Sequence, residues 1–180
     1  MSEWEAFLAQ ARSDYAVFEL LLDMRREDVP ECHPLHYLQM ATEKLAKAFF
    51  LALGVPFSYN HSTFDIIFHH FNRRNTARIL GWKDHKAFRA FVRGLRPLFR
   101  WVVELHPSVG RARSTTALQT QPNVEYPWYS RGEGGAMIWR APAHHDFHAA
   151  ANLRSARGPQ FMDLISRLLD RFERVVGQRT

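Results

Sequence analysis

The chain has one cysteine, Cys32, in 180 residues. A lone thiol excludes an internal disulfide framework and fits a reducing cytosol. Long apolar runs are missing too: no stretch approaches the roughly 18–20 residues needed to cross a bilayer, so no membrane role is expected. The opening Met1-Ser2-Glu3-Trp4-Glu5 is acidic and lacks the basic-then-apolar order of a secretory leader, which points to a cytoplasmic location. There is no phosphate-cradling Gly loop ending in Lys-Ser/Thr, and no Gly-x-Ser-x-Gly elbow. Those absences set aside a nucleotide triphosphatase of the usual loop type and a serine hydrolase. Lysine is scarce, with four Lys against twenty Arg.

What is present suits a single domain over residues 1–180 with a sizeable core. Hydrophobic residues make up 46% and charged residues 23%, too apolar a mixture for disorder. Fourteen Phe and five Trp predict an aromatic-rich interior. The net charge of +6 is carried mostly by Arg, whose planar fork of donors suits phosphate. An Arg bias also follows from GC-rich codon usage alone, and the Arg are spread along the chain rather than packed in one run.

Five helical signals follow in order. Ser2 and Glu5 have capping-box spacing, and Trp4, Phe7, Leu8, Ala11, Tyr15, Phe18 and Leu22 then recur at three- and four-residue steps to about Met24. A second helix is expected from about Pro34 to Leu53, stopped by Gly54. Ser62 or Thr63 can cap a shorter third, carrying Phe64, Ile67, Phe68 and Phe71. Asp84 can cap a fourth, with Phe88, Phe91, Val92, Leu95, Phe99 and Val102 inward and Pro97 expected to kink or divide it. Periodicity then fades over about 107–158, where Tyr126-Pro127-Trp128-Tyr129 and Met137-Ile138-Trp139 suit short extended pieces, paired as a hairpin over the glycines at 132–135. Gly158-Pro159 opens a last helix whose Phe161, Leu164, Ile165, Leu168, Leu169, Phe172, Val175 and Val176 mark one buried face. The expected fold class is all-α: a bundle of four to five long helices with an irregular, aromatic-rich insert before the last one.

Within the second helix, Tyr37-Leu38-Gln39-Met40-Ala41-Thr42-Glu43-Lys44-Leu45-Ala46-Lys47-Ala48 resembles the second helix of HEPN domains, in which a Gln, an Ala-x-Glu-Lys and a Lys-Ala recur in this order. The third-helix start His61-Ser62-Thr63-Phe64-Asp65 is similar to the same family. Glu125-Tyr126-Pro127-Trp128, Ala141-Pro142-Ala143 and Asp146-Phe147 resemble small bacterial HEPN-like proteins. The resemblance implies a helical bundle, often a homodimer, in RNA-cleaving toxins, toxin–antitoxin and defence systems. It implies no cofactor and no metal. Active members carry an Arg, four to six residues, then a His, and direct a 2′-hydroxyl onto the adjacent phosphate. Imidazole titrates near neutrality and can carry the proton, and a guanidinium can steady the phosphate charge.

Four pairs meet that spacing: Arg26 and His33, Arg78 and His85, Arg100 and His106, Arg140 and His145. Twenty Arg, ten His and three allowed spacings over 180 residues produce about three such matches by chance, so spacing alone does not choose among them. Arg100 with His106 is the first candidate, because the fourth helix corresponds best to where the family keeps its motif. Arg78 with His85 is the second, because it straddles Gly81 and the start of that helix, where free amides favour phosphate. The residues after the four Arg are Glu27, Ile79, Trp101 and Ala141, none of them the Asn, Asp or His common in active members.

Two further groups carry chemistry. His144, His145, Asp146 and His148 are the densest set of metal-ligand types, and Cys32 lies one helical turn from His36, but adjacent ligands rarely share one ion and no metal site is expected. Trp128, Tyr129, Arg131, Trp139 and Arg140 combine rings and guanidinium groups suited to stacking bases and holding phosphates of single-stranded RNA; the same rings also suit covering the end of the bundle, the commoner role of large aromatics in a loop. The resemblance leaves two functions to expect. One is an RNA-binding protein or metal-independent ribonuclease; the other is a non-catalytic module for dimerisation or a protein partner. A nucleotide pocket under the insert is a third, weaker fit.

Overall fold

The computed structural model describes residues 1–24, 28–56, 64, 67, 73–105, 122, 124, 125 and 127–177. Among them the chain is mostly helical, with one two-stranded sheet. The helices are α1 (Glu3–Asp23), α2 (Cys32–Ala52), α3 (Arg74–Ile79), α4 (His85–Glu104), α5 (His148–Leu153), α6 (Gly158–Asp170) and α7 (Phe172–Val176). Strands β1 (Trp128–Arg131) and β2 (Met137–Arg140) form an antiparallel hairpin. No helix among the described residues is long and apolar enough to cross a membrane.

Helix α1 starts where its sequence says it should. Ser2 accepts from the Glu5 amide at 3.4 Å, and the Ser2 amide donates to the Glu5 carboxylate at 2.5 Å, which closes the capping box. Those bonds hold the Glu5 carboxyl below its ordinary range. Asp84 likewise caps α4 by accepting from the Lys86 amide at 2.8 Å. Helix α2 ends one residue earlier than expected and begins two earlier, and Gly54 follows it at φ 61°. Phe64 and Ile67 are helical and buried; the rest of the expected third helix lies outside the described residues.

One expectation is narrowed, one needs correction, and two short helices were not expected. Pro97 does not divide α4, which runs unbroken from His85 to Glu104. Pro97 sits on the exposed side, where its missing amide costs one bond, while Leu95, Leu98, Phe99 and Val102 are buried on both sides of it and hold the two halves together. The last helix is not continuous: Arg171, at φ −111° and ψ 16°, separates α6 from α7. Its side chain is drawn to a carbonyl of α3. Finally, α3 and α5 are short helices, six residues each and too few to show an apolar period.

The core lies between α1, α2, α4 and α6. Phe99 of α4 stacks on Phe64 at 4.9 Å between ring centroids and meets Phe161 of α6 edge-on at 5.2 Å. Each of these rings is fully buried, about 2–3 kcal/mol apiece of transfer from water. Trp4 stacks on Phe172 at 5.7 Å, tying the start of the chain to α7. Helices α5 and α6 approach so closely that a β-carbon at Gly158 would lie 1.6 Å from the Leu153 carbonyl oxygen. Only glycine fits there.

Helix α1 packs on α2 more extensively than any other described pair, and polar residues are buried in the seam. Lys44 donates to Asp14 at 2.5 Å, Gln39 donates to Glu43 at 2.8 Å, and Lys47 donates to the other oxygen of Glu43. Thr42 returns its hydroxyl to the Leu38 carbonyl at 2.9 Å. The Gln, Glu and two Lys that carry the helix-two resemblance are therefore an internal polar network. Tyr15 donates to the Met162 carbonyl of α6 at 2.8 Å, and burial, helped by Glu19, Asp163 and Asp170, pushes its phenol well above the ordinary value. Burial also pushes the Cys32 thiol up, so it is a packed side chain rather than a reactive one.

Candidate anion-binding corner

Helices α3 and α4 meet at a corner turned by Gly81, whose φ of 91° is a backbone state that other residues rarely adopt. The corner is held from beneath. Arg171 donates to the Ile79 carbonyl, and Arg167 donates to the Leu80 carbonyl at 3.3 Å, so two guanidinium groups from α6 and the break after it satisfy the free carbonyls at the end of α3. Trp82 lies against Phe91 at 4.8 Å and Phe88 at 5.7 Å, closing one wall.

Over this corner opens a concavity of about 1140 Å³. Its lining includes six cationic side chains, Arg74, Arg78, Lys83, Lys86, Arg89 and Arg93, with His85 and a single carboxylate, Asp84. The six cations are exposed and make no ion pair among the described residues. Arg74 and Arg78 stand one turn apart on α3. Facing them, Lys86, Arg89 and Arg93 recur at three- and four-residue steps on α4, and the same stripe continues through the exposed Arg96 and Arg100. From Lys86 to Arg100 the stripe is about 21 Å long at the helical rise. The amides at the start of α4 add less than expected, since Asp84 already occupies that of Lys86 and brings a negative charge. Anion attraction at the corner therefore rests on side chains.

The four Arg–His pairs fare differently. Arg78 and His85 line the same concavity, with His85 half-buried. Arg100 lies on the basic stripe, but His106 falls outside the described residues, as does Arg26. His145 packs edge-on against Trp128 at 5.0 Å and Phe147 at 4.7 Å, so its ring is a packing element. Burial lowers its pKa, with Asp146 pulling the other way and His148 and Arg140 adding to the depression. Among the described residues no group of three His, Cys, Asp or Glu is placed to hold a metal ion.

The hairpin sorts the five residues expected to contact RNA. Trp128 is 3% exposed, held by His145 and Phe147, and is a core residue rather than a platform for bases. That is a correction, caused by strand alternation: its neighbour Tyr129 faces the other way. Tyr129 pairs in register with Trp139, and Arg131 with Met137, so these four share one face. Arg140 sits opposite Trp128 and donates to Ser130 at 3.4 Å.

The exposed cations of α4 were readable as a stripe. Counting Arg over the whole chain conceals that Lys86, Arg89, Arg93, Arg96 and Arg100 fall within one narrow face of one helix. Family models, curated proteins and solved structures were each compared with the chain, and none matches it.

Proposed function

We propose that the protein binds RNA across the α3–α4 corner and along α4, and that it is a HEPN-like, metal-independent ribonuclease using Arg78 and His85. The observation that carries the reading is the set of exposed cations, Arg74, Arg78, Lys83, Lys86, Arg89 and Arg93, that lines the concavity. The space exceeds the roughly 300–1,000 Å³ of a small-ligand pocket. A stripe of about 21 Å spans several successive phosphates of a nucleic-acid backbone, so it suits a chain of phosphates better than a mononucleotide. Six like charges held together against a single carboxylate favour a polyanion through counterion release.

In the proposed reaction a 2′-hydroxyl oxygen bonds to the adjacent phosphorus while His85 takes its proton. The bond from phosphorus to the 5′-oxygen breaks, leaving a 2′,3′-cyclic phosphate, and the departing oxygen takes up a proton. Arg78 offsets the charge that builds on the phosphate oxygens. A homodimer would bring a second Arg–His pair to supply that proton.

The test is binding and cleavage of a labelled RNA pool in EDTA. Wild type is expected to bind with a steep salt dependence and to cleave. Lys86→Glu with Arg89→Glu should weaken binding at least tenfold and flatten the salt slope by about 1 to 2. His85→Ala should bind but not cleave, and His106→Ala is the control for the other pair. Binding without cleavage in wild type would reduce the reading to an RNA-binding protein. No binding at all would replace it with a module for dimerisation or a protein partner.

A further inference from the structure

The hairpin presents two different faces. On the inner one Trp128 is buried against His145 and Phe147 and fixes β1 to the rest of the molecule. On the outer one Tyr129 and Trp139 are cross-strand partners with ring centroids 5.5 Å apart, inclined at 68°. Trp139 is 59% exposed and Met137 65%. Arg131 is the next outward residue after Tyr129 and the diagonal neighbour of Trp139, about 7–8 Å away in a ladder of this kind. A large indole left in water on an anchored strand, with a guanidinium one step along the same face, combines a flat apolar surface with a positive charge.

We infer that this outer face stacks unpaired bases of RNA on Trp139 and Tyr129 while Arg131 takes a neighbouring phosphate, so that the substrate class is single-stranded RNA. The inference rests on the reading that the α3–α4 corner binds RNA, and it adds what the corner lacks. Cations along α4 attract any phosphate backbone, paired or unpaired. Exposed rings discriminate, because the faces of bases in a duplex are covered by their neighbours and those of an unpaired strand are free. Charge complementarity favours a nucleic acid over a second copy of the chain, which would set Arg131 against the same basic protein, of net charge +6.

The experiment measures anisotropy of a short labelled single strand and of the same sequence closed into a duplex, over a range of salt. Wild type should prefer the single strand. Trp139→Ala should weaken the single strand about tenfold, the loss of one stacked base, leave the duplex unchanged and keep the salt slope. Trp139→Phe should restore part of the affinity. Lys86→Glu with Arg89→Glu should weaken both ligands and flatten the slope, so the two sites fail separately. Single-strand affinity unchanged in Trp139→Ala overturns the inference and leaves the corner reading intact. Conversion of a dimer to a monomer by Trp139→Ala, seen by sedimentation, overturns it in favour of an interface between copies. Wild-type protein that binds neither ligand overturns both readings.

Discussion

The α1–α2 seam and the α3–α4 corner use charge in opposite ways. In the seam, Asp14 meets Lys44 and Glu43 meets Lys47 and Gln39, each group largely out of water and matched by a partner of opposite sign or a hydrogen bond. At the corner, six cations share one concavity with a single carboxylate. Charges drawn into a low-dielectric seam must be paired, because a lone one there is costly. Charges left in water have no such obligation, and grouping one sign of them stabilises nothing in the fold. The difference separates the charges that hold the structure from those that the fold does not use.

Breaking a seam pair gives the largest expected effect. Glu43→Ala removes the partner of both Gln39 and Lys47 and should cost about 3 kcal/mol in urea unfolding. RNA affinity of the folded fraction should stay put. If affinity fell as far as stability, the two regions would be one coupled unit. Tyr15→Phe should cost about 1 kcal/mol by leaving the Met162 carbonyl without its donor. Arg89→Glu alone should do the reverse of both. It relieves repulsion among neighbours, so melting should be unchanged or shifted up by about 0.5 kcal/mol while RNA affinity falls.

The smallest effect is a pH dependence of the hairpin. His145 has its pKa lowered in the folded chain from an ordinary value of 6.5, so below that value the unfolded chain binds more protons than the folded one. The contribution of His145 is therefore fully present above pH 6.5 and declines as pH falls toward its folded value. The near-ultraviolet signal of Trp128 is expected to weaken over that window, and His145→Gln should remove the dependence.

The sequence announced those elements whose ends are written in side chains. Ser2 with Glu5, Asp84, and Gly54 mark their helix ends by hydrogen bonding or by φ, and each does so in the structure. The hairpin over 132–135 was legible for the same reason, since Gly134 and Gly135 both take positive φ. Helix α3 was not legible: Arg73 gives it no side-chain cap, and six residues are too few to show a period. The break at Arg171 was hidden because Phe172 continues the buried face after it. In the site, Trp128 and Tyr129 look alike as neighbouring rings, and only the register of the strands shows which one faces water. Arg78 and His85 had the right spacing, but only the turn at Gly81 brings them to one concavity.

The clamp beneath the corner also sets an order in time. The Leu80 and Ile79 carbonyls wait for Arg167 and Arg171, which lie 87 and 92 residues further along the chain. During synthesis α3 and α4 leave the ribosome long before α6 does, and domains are completed from the N-terminus onward. The basic corner is thus completed late, and a nascent chain carries its cations for some time without the clamp that fixes their arrangement.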